Sequence, residues 1–208
     1  MATYTYPLNH PASPSIRNVT WRMRRAAAVM ESPFTGAQQV LEWDYALWEA
    51  VVELPPMKRE QAAEWQAFFM KMRGRVGTFL LADPDAKTPR GAVTGAVTVE
   101  EDAAVGDDSI SLQTSNLSTS GVFKTGDYIQ IGTGAAAKLH MIVSEADTDG
   151  AGVVRVDVEP RIKASAALGT EVITQEAKGV FRLEDAVQGW DADQVSLYGF
   201  SFACKEAI

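Results

Sequence analysis

Between Lys58 and Arg73 the apolar residues Ala62, Trp65, Phe68, Phe69 and Met72 recur at i, i+3, i+6, i+7 and i+10. That spacing lines them up along one side of an α-helix and leaves Lys58, Arg59, Glu60, Glu64 and Lys71 on the wet side. A stripe this wide has to be covered, and a sheet is the surface that covers it. Pro55-Pro56 stops whatever precedes the helix, and Gly74 is the expected stop at its far end. The next residues are equally constrained. Gly77-Thr-Phe-Leu-Leu-Ala reads as a short buried strand, and Asp83-Pro84 with Pro89-Arg90-Gly91 fixes the backbone of the loop that follows. A helix lying on a sheet, with a strand of that sheet directly after it, is the frame into which the rest of the chain must fit.

Both flanks supply strands. Pro7, Pro11 and Pro14 keep the first residues extended and irregular. From Val19 to Arg25, Val19, Trp21 and Met23 alternate with Thr20, Arg22 and Arg24, the pattern of a half-buried strand with one basic face. That basic face is either simply solvated or meets acidic groups on a neighbouring subunit. From Val40 to Leu54, Leu41, Trp43, Tyr45 and Leu47 share one parity, and Trp48, Ala50, Val52 and Leu54 share the other. A bulge or bend accounts for the switch, although helical spacing also fits part of Ala46 to Val52. Near the C-terminus, Gly179-Val-Phe-Arg-Leu reads as a strand. So does Gln194 to Cys204, with Val195, Leu197, Gly199, Ser201 and Ala203 on one face and Tyr198, Phe200 and Phe202 on the other.

The segment between these ends differs in style. Residues 96–175 contain no tryptophan, and turn signals punctuate short strands at Ser109–Leu112, Tyr128–Ile131, Leu139–Val143, Val153–Val158 and Glu171–Thr174. Five strands at that spacing predict a small antiparallel barrel. Charge separates along the same boundary. The segment holds 5 basic and 12 acidic residues, whereas residues 1–95 hold 11 and 9 and residues 176–208 hold 3 and 6. The expectation is therefore a mainly β chain with one α-helix near 58–73. Residues 1–95 and 176–208 together form a β-sandwich, and residues 96–175 form an inserted β-barrel.

The chemistry-bearing residues are sparse. The net charge of −8 disfavours a dedicated nucleic-acid surface and adhesion to acidic membranes. No run of about 18 apolar residues predicts a membrane span. No basic start followed by an apolar run predicts a secretory signal. Cys204 is the single cysteine, expected to be an inert, partly buried thiol. His10 and His140 lie in unrelated contexts, and no Gly-x-Ser-x-Gly occurs. Asp147-Thr-Asp-Gly-Ala-Gly departs from a calcium loop, because Ala151 and Val158 fall where oxygen ligands belong; it reads as a hairpin turn. Asp83 and Asp85 share a loop with Lys87 and Arg90, which predicts a salt-bridged turn. No catalytic residue, metal ligand or cofactor site is expected.

Several motifs resemble one family in order and spacing. Trp65-Gln-Ala-Phe-Phe, Arg73-Gly, Gly77-Thr-Phe-Leu-Leu-Ala-Asp-Pro and Thr88-Pro-Arg-Gly are similar to distal tail proteins of long-tailed phages of proteobacteria. So are Gly126-Asp-Tyr-Ile-Gln-Ile-Gly, Leu139-His-Met, Glu159-Pro-Arg, Gly179-Val-Phe-Arg-Leu and Tyr198-Gly-Phe-Ser-Phe. The resemblance implies a structural virion protein without enzymatic activity. It would form a hexameric ring at the tail tip that joins the tail tube to the baseplate hub around the DNA channel. The implied partners are further copies of the chain, the tail tube protein and the baseplate hub protein, with the tape-measure protein and tail fibres as further candidates. DNA would pass without specific binding, and assembly would take place in the bacterial cytoplasm without membrane insertion. The alternative is a receptor- or carbohydrate-binding module acting through 96–175. Phe123 and Tyr128 are the only aromatics in that segment and make a poor sugar platform. Candidate subunit-interface residues are Arg22, Arg24, Arg73, Arg75 and Arg90.

Overall fold

The computed structural model describes residues 4–186, 189, 191–192 and 197–208. Its one α-helix, α1, runs Arg59–Met72 and buries Ala62, Trp65, Phe68, Phe69 and Met72. The stop begins one residue before the expected glycine. Arg73 is already left-handed at φ 51°, and Gly74 follows at φ +65°. The Gly77 N–H then donates to the Met72 carbonyl at 2.8 Å and closes the turn. A Cβ on Gly77 would stand 2.7 Å from the Tyr6 ring and 2.8 Å from the Met72 carbonyl, so this approach requires glycine.

Before the helix come β1 (Leu8–Asn9), β2 (Asn18–Glu31) and β3 (Gln38–Glu53); β4 (Phe79–Ala82) comes after it. The middle of the chain supplies β5 (Val97–Val99), β6 (Ser109–Gln113), β7 (Tyr128–Ile131), β8 (Lys138–Ile142), β9 (Val153–Glu159) and β10 (Glu171–Ile173). The end supplies β11 (Lys178–Leu183), β12 (Asp191–Ala192), β13 (Tyr198–Gly199) and β14 (Ser201–Glu206). The last expected strand is thus interrupted at Phe200, and its first residues, Gln194 and Val195, lie outside the described residues.

Strands from both ends of the chain build one mixed six-stranded sheet, ordered β1-β4-β11-β14-β3-β2. One face carries Trp48, Ala50, Val52, Phe79, Leu81, Phe181, Leu183, Phe202 and Cys204, all buried in the same core as the helix stripe. Trp65 meets Phe202 at 6.2 Å between ring centroids, Phe68 meets Phe79 at 5.6 Å and Phe69 meets Phe202 at 5.2 Å. Each such pair adds about 0.5–1.5 kcal/mol beyond its buried area.

The middle strands close into a separate barrel, ordered β10-β5-β6-β9-β8-β7. The five expected strands are all present. The sixth, β5, pairs with both β6 and β10 and completes the closure. Closure gives every strand of the barrel a partner on both sides. The barrel has its own core around Val99, Leu112, Phe123, Ile129 and Val156.

Two mounts join barrel and sheet. The first is where the chain crosses. The Asp127 carboxylate accepts hydrogen bonds from the backbone N–H of Arg90 at 2.6 Å, Gly91 at 3.0 Å and Lys124 at 2.9 Å. On the way back, the Glu176 N–H donates to the Lys87 carbonyl at 2.7 Å. The second mount lies at Trp48, within β3, and at the end of β14. Trp48 Nε1 donates to the Leu139 carbonyl at 3.0 Å, and Lys138 Nζ donates to the Ala207 carbonyl at 3.0 Å. Lys163 forms a buried ion pair with Glu206, whose carboxylate also accepts the Trp48 N–H at 3.2 Å. Burial pulls the Lys163 ammonium below its ordinary pKa, against the opposing pull of Glu206.

Candidate functional site

Beyond Arg25 the two longest strands leave the body as a free two-stranded arm. Pairing runs in regular antiparallel register from Ala26 opposite Trp43 to Glu31 opposite Gln38. The tip is a tight turn in which the Ser32 N–H donates to Ala37 and the Gly36 N–H donates to Ser32, both at 2.9 Å. Ser32 Oγ also accepts the N–H groups of Phe34 and Thr35. The arm has no core. Val29, Met30, Val40 and Leu41 are half or more exposed, Trp43 is 49% exposed and Phe34 at the tip is 94% exposed.

The register explains how the arm leaves the sheet. Arg25 pairs with Ala46 and Ala26 with Trp43, so Asp44 and Tyr45 are extra residues on β3. This bulge lies three residues earlier than the sequence parity switch suggests. Of Leu41, Trp43, Tyr45 and Leu47, Leu47 alone is buried. The bulge re-aims the strand and turns Asp44 toward the barrel, where it pairs with Arg161. Arg25 reaches Glu159 of β9 at 2.8 Å and Glu42 of the arm at 3.6 Å. These pairs frame an open cleft of about 220 Å³ at the root of the arm, with Trp43, Tyr45 and Ile162 in its walls. The arm is therefore braced at its base and bare along its length.

The five candidate arginines do not converge. Arg22 and Arg24 share the exposed face of β2, and Arg24 meets Glu49 at 3.3 Å. Arg73 and Arg75 lie in the turn after α1, where the Arg73 guanidinium sits 5.3 Å over the Tyr4 ring and Arg75 is exposed. Arg90 belongs to the crossing: its guanidinium donates to the Thr125 carbonyl at 3.2 Å, and its backbone is held by Asp127. The residues missed from sequence are those of the arm tip, above all Phe34 and Met30. The visible signal for them is Ser32-Pro-Phe-Thr-Gly36 between two strand patterns, which marks a hairpin turn.

The groups with potential chemistry are otherwise engaged. His10 stacks on Trp65 with centroids 5.8 Å apart. His140 is buried, with Nδ1 2.7 Å from the Pro160 carbonyl, and burial lowers its pKa to about 4. Cys204 is buried, and its thiol is pushed up to about 12, chiefly by burial. The salt-bridged turn expected at Asp83 is instead an Asx turn: Asp83 Oδ1 accepts the Asp85 N–H at 3.0 Å. Among the described residues, Asp83, Asp85, Lys87 and Arg90 form no ion pair with one another. Asp149 Oδ1 accepts the N–H groups of Ala151 and Val153, as a hairpin turn requires. Among the described residues, no group of three His, Cys, Asp or Glu side chains is placed to hold a metal ion.

A scan against protein-family models finds no match to the chain, and a search of curated proteins finds none.

Proposed function

We propose that this chain is a structural subunit of a phage tail tip. Copies close into a ring, hexameric as the family resemblance implies, which joins the tail tube to the baseplate hub around the DNA channel. The observation that carries this reading is the bare arm. A two-stranded hairpin is marginal on its own in water, and this one exposes Val29, Met30, Phe34, Val40, Leu41 and Trp43. Such a hairpin has its place in an assembly, where a neighbour covers it. The ion pairs at its root fix its direction, which suits a contact repeated identically around a ring.

The test is native mass measurement of the full-length protein beside a variant in which Ala27–Glu42 is replaced by Asn-Gly. The intact chain is expected as a closed hexamer of roughly 135 kDa, six times the 22.5 kDa chain. The shortened variant is expected to stay folded and to lose the ring. A strict monomer at high concentration, or a ring that survives loss of the arm, refutes the reading.

A further inference from the structure

We infer that the charged face of the sheet docks on the acidic β5–β6 end of the barrel in a second copy of the chain. This deepens the ring reading and rests on it. The core face of the sheet is occupied by α1 and by Tyr128, Leu139 and Met141 of the barrel. The opposite face buries Val180 near β4 but carries, farther along, an unusual row of charges in which Arg22, Lys205 and Arg182 are exposed. Arg22 of β2 stands directly opposite Glu49 of β3, Glu49 opposite Lys205 of β14, and Lys205 opposite Arg182 of β11. Arg24 reaches the same Glu49 at 3.3 Å. The row and its flank thus hold four cations against one carboxylate, with Glu184 and Glu53 in later rows of the same face. Among the described residues, Arg22, Arg182 and Lys205 form no ion pair. Like charges directly across a strand pair, as in Lys205 and Arg182, destabilise a sheet. An anionic partner turns that cost into attraction.

The same chain carries the complement. Glu101, Asp102, Asp107 and Asp108 are exposed around a cleft of about 180 Å³, with Arg155 as the one cation in its wall. Arg155 is turned to Ser109 Oγ at 2.7 Å, and among the described residues none of the four carboxylates is ion-paired. The two surfaces cannot meet within one molecule, because the barrel sits on the core side and the sheet stands between them. In the barrel order, β5 and β6 lie across from β8 and β7, the strands that face the sheet. A contact between different patches of identical copies is heterologous, and it closes a ring when the rotation allows.

The experiment swaps charges in the full-length protein and reads mass by sedimentation velocity, at low and high salt. One variant carries Arg182→Glu and Lys205→Glu; the other carries Glu101→Lys and Asp108→Lys. Each alone is expected to self-associate at least about tenfold more weakly than the unaltered chain. An equimolar mixture is expected to reassemble, because each altered surface then meets its complement on the other variant. Assembly of the unaltered chain is expected to weaken as salt rises. An unaltered chain that assembles while both variants assemble equally well overturns this inference and leaves the ring reading standing. Variants that dissociate and stay apart on mixing also overturn it, and binding of a DNA duplex by the unaltered chain would then name nucleic acid as the occupant. A monomeric unaltered chain refutes both readings. Should either variant fold poorly by circular dichroism, the neutral pairs Arg182→Gln with Lys205→Gln and Glu101→Gln with Asp108→Asn must show the same weakening in milder form.

Discussion

Replacing Lys163 by methionine should destabilise the protein more than replacing Lys163 and Glu206 together. The Glu206 side chain is fully buried and that of Lys163 is 8% exposed, so their mutual attraction offsets two large desolvation costs. In Lys163→Met the carboxylate keeps one donor, the Trp48 N–H at 3.2 Å, while its Oε1 has no hydrogen-bond partner to begin with. An uncompensated charge of this kind costs about 3–5 kcal/mol. In the double variant Lys163→Met, Glu206→Gln the charge is gone, and the amide oxygen still accepts from Trp48. What is lost then falls to about 1–3 kcal/mol, the cost of a buried amide NH2 standing where Oε1 has no partner among the described residues. Urea unfolding followed by tryptophan fluorescence measures both, since Trp48 lies at the mount. A single variant within about 1 kcal/mol of the parent, or a double variant no better than the single, would refute the argument that Glu206 depends on Lys163.

Three further outcomes are expected. His140 has its pKa lowered to about 4, so the folded state holds it neutral; the unfolded chain takes up the proton first as pH falls, and stability present above pH 6.5 declines toward pH 4. The loss is about 3 kcal/mol over that window, and urea titrations at pH 7 and pH 4.5 should show His140→Gln losing distinctly less than the parent. Cys204 should resist a disulfide reagent at pH 8 in the native protein and react once per chain after unfolding; rapid native labelling would contradict its burial. Gly91→Ala would place a Cβ 2.3 Å from the Val122 carbonyl, so it should cost about 1–3 kcal/mol and shift the backbone amide resonances of residues 121–127; an unchanged spectrum would count against the tight crossing.

The helix was legible because five large or buried side chains repeat the same period, and tertiary packing follows that stripe. The barrel was legible for a different reason, since turn residues mark its hairpins. β5 escaped notice because three residues, Val97–Val99, are too few to display a period. The stop at Arg73 escaped because left-handed backbone is ascribed to glycine when one stands next door. The arm shows where pattern reading ends. Alternation in Leu41 and Trp43 says that a strand has an apolar side, but not whether its cover comes from the same chain. The charge row was hidden for a similar reason: Arg22, Glu49, Lys205 and Arg182 come from four strands and become neighbours through register alone.

The paired mounts of the barrel have a mechanical consequence. A body hung from one linker pivots, and a push on its far end is dissipated as rotation. Here the crossing at Asp127 and the buried contact at Glu206 are separate supports, so the same push is resisted as a couple between two points. The arm is tied to the barrel through Arg25 and Asp44. Displacing the arm therefore pulls on the barrel through exposed ion pairs worth up to about 1 kcal/mol each.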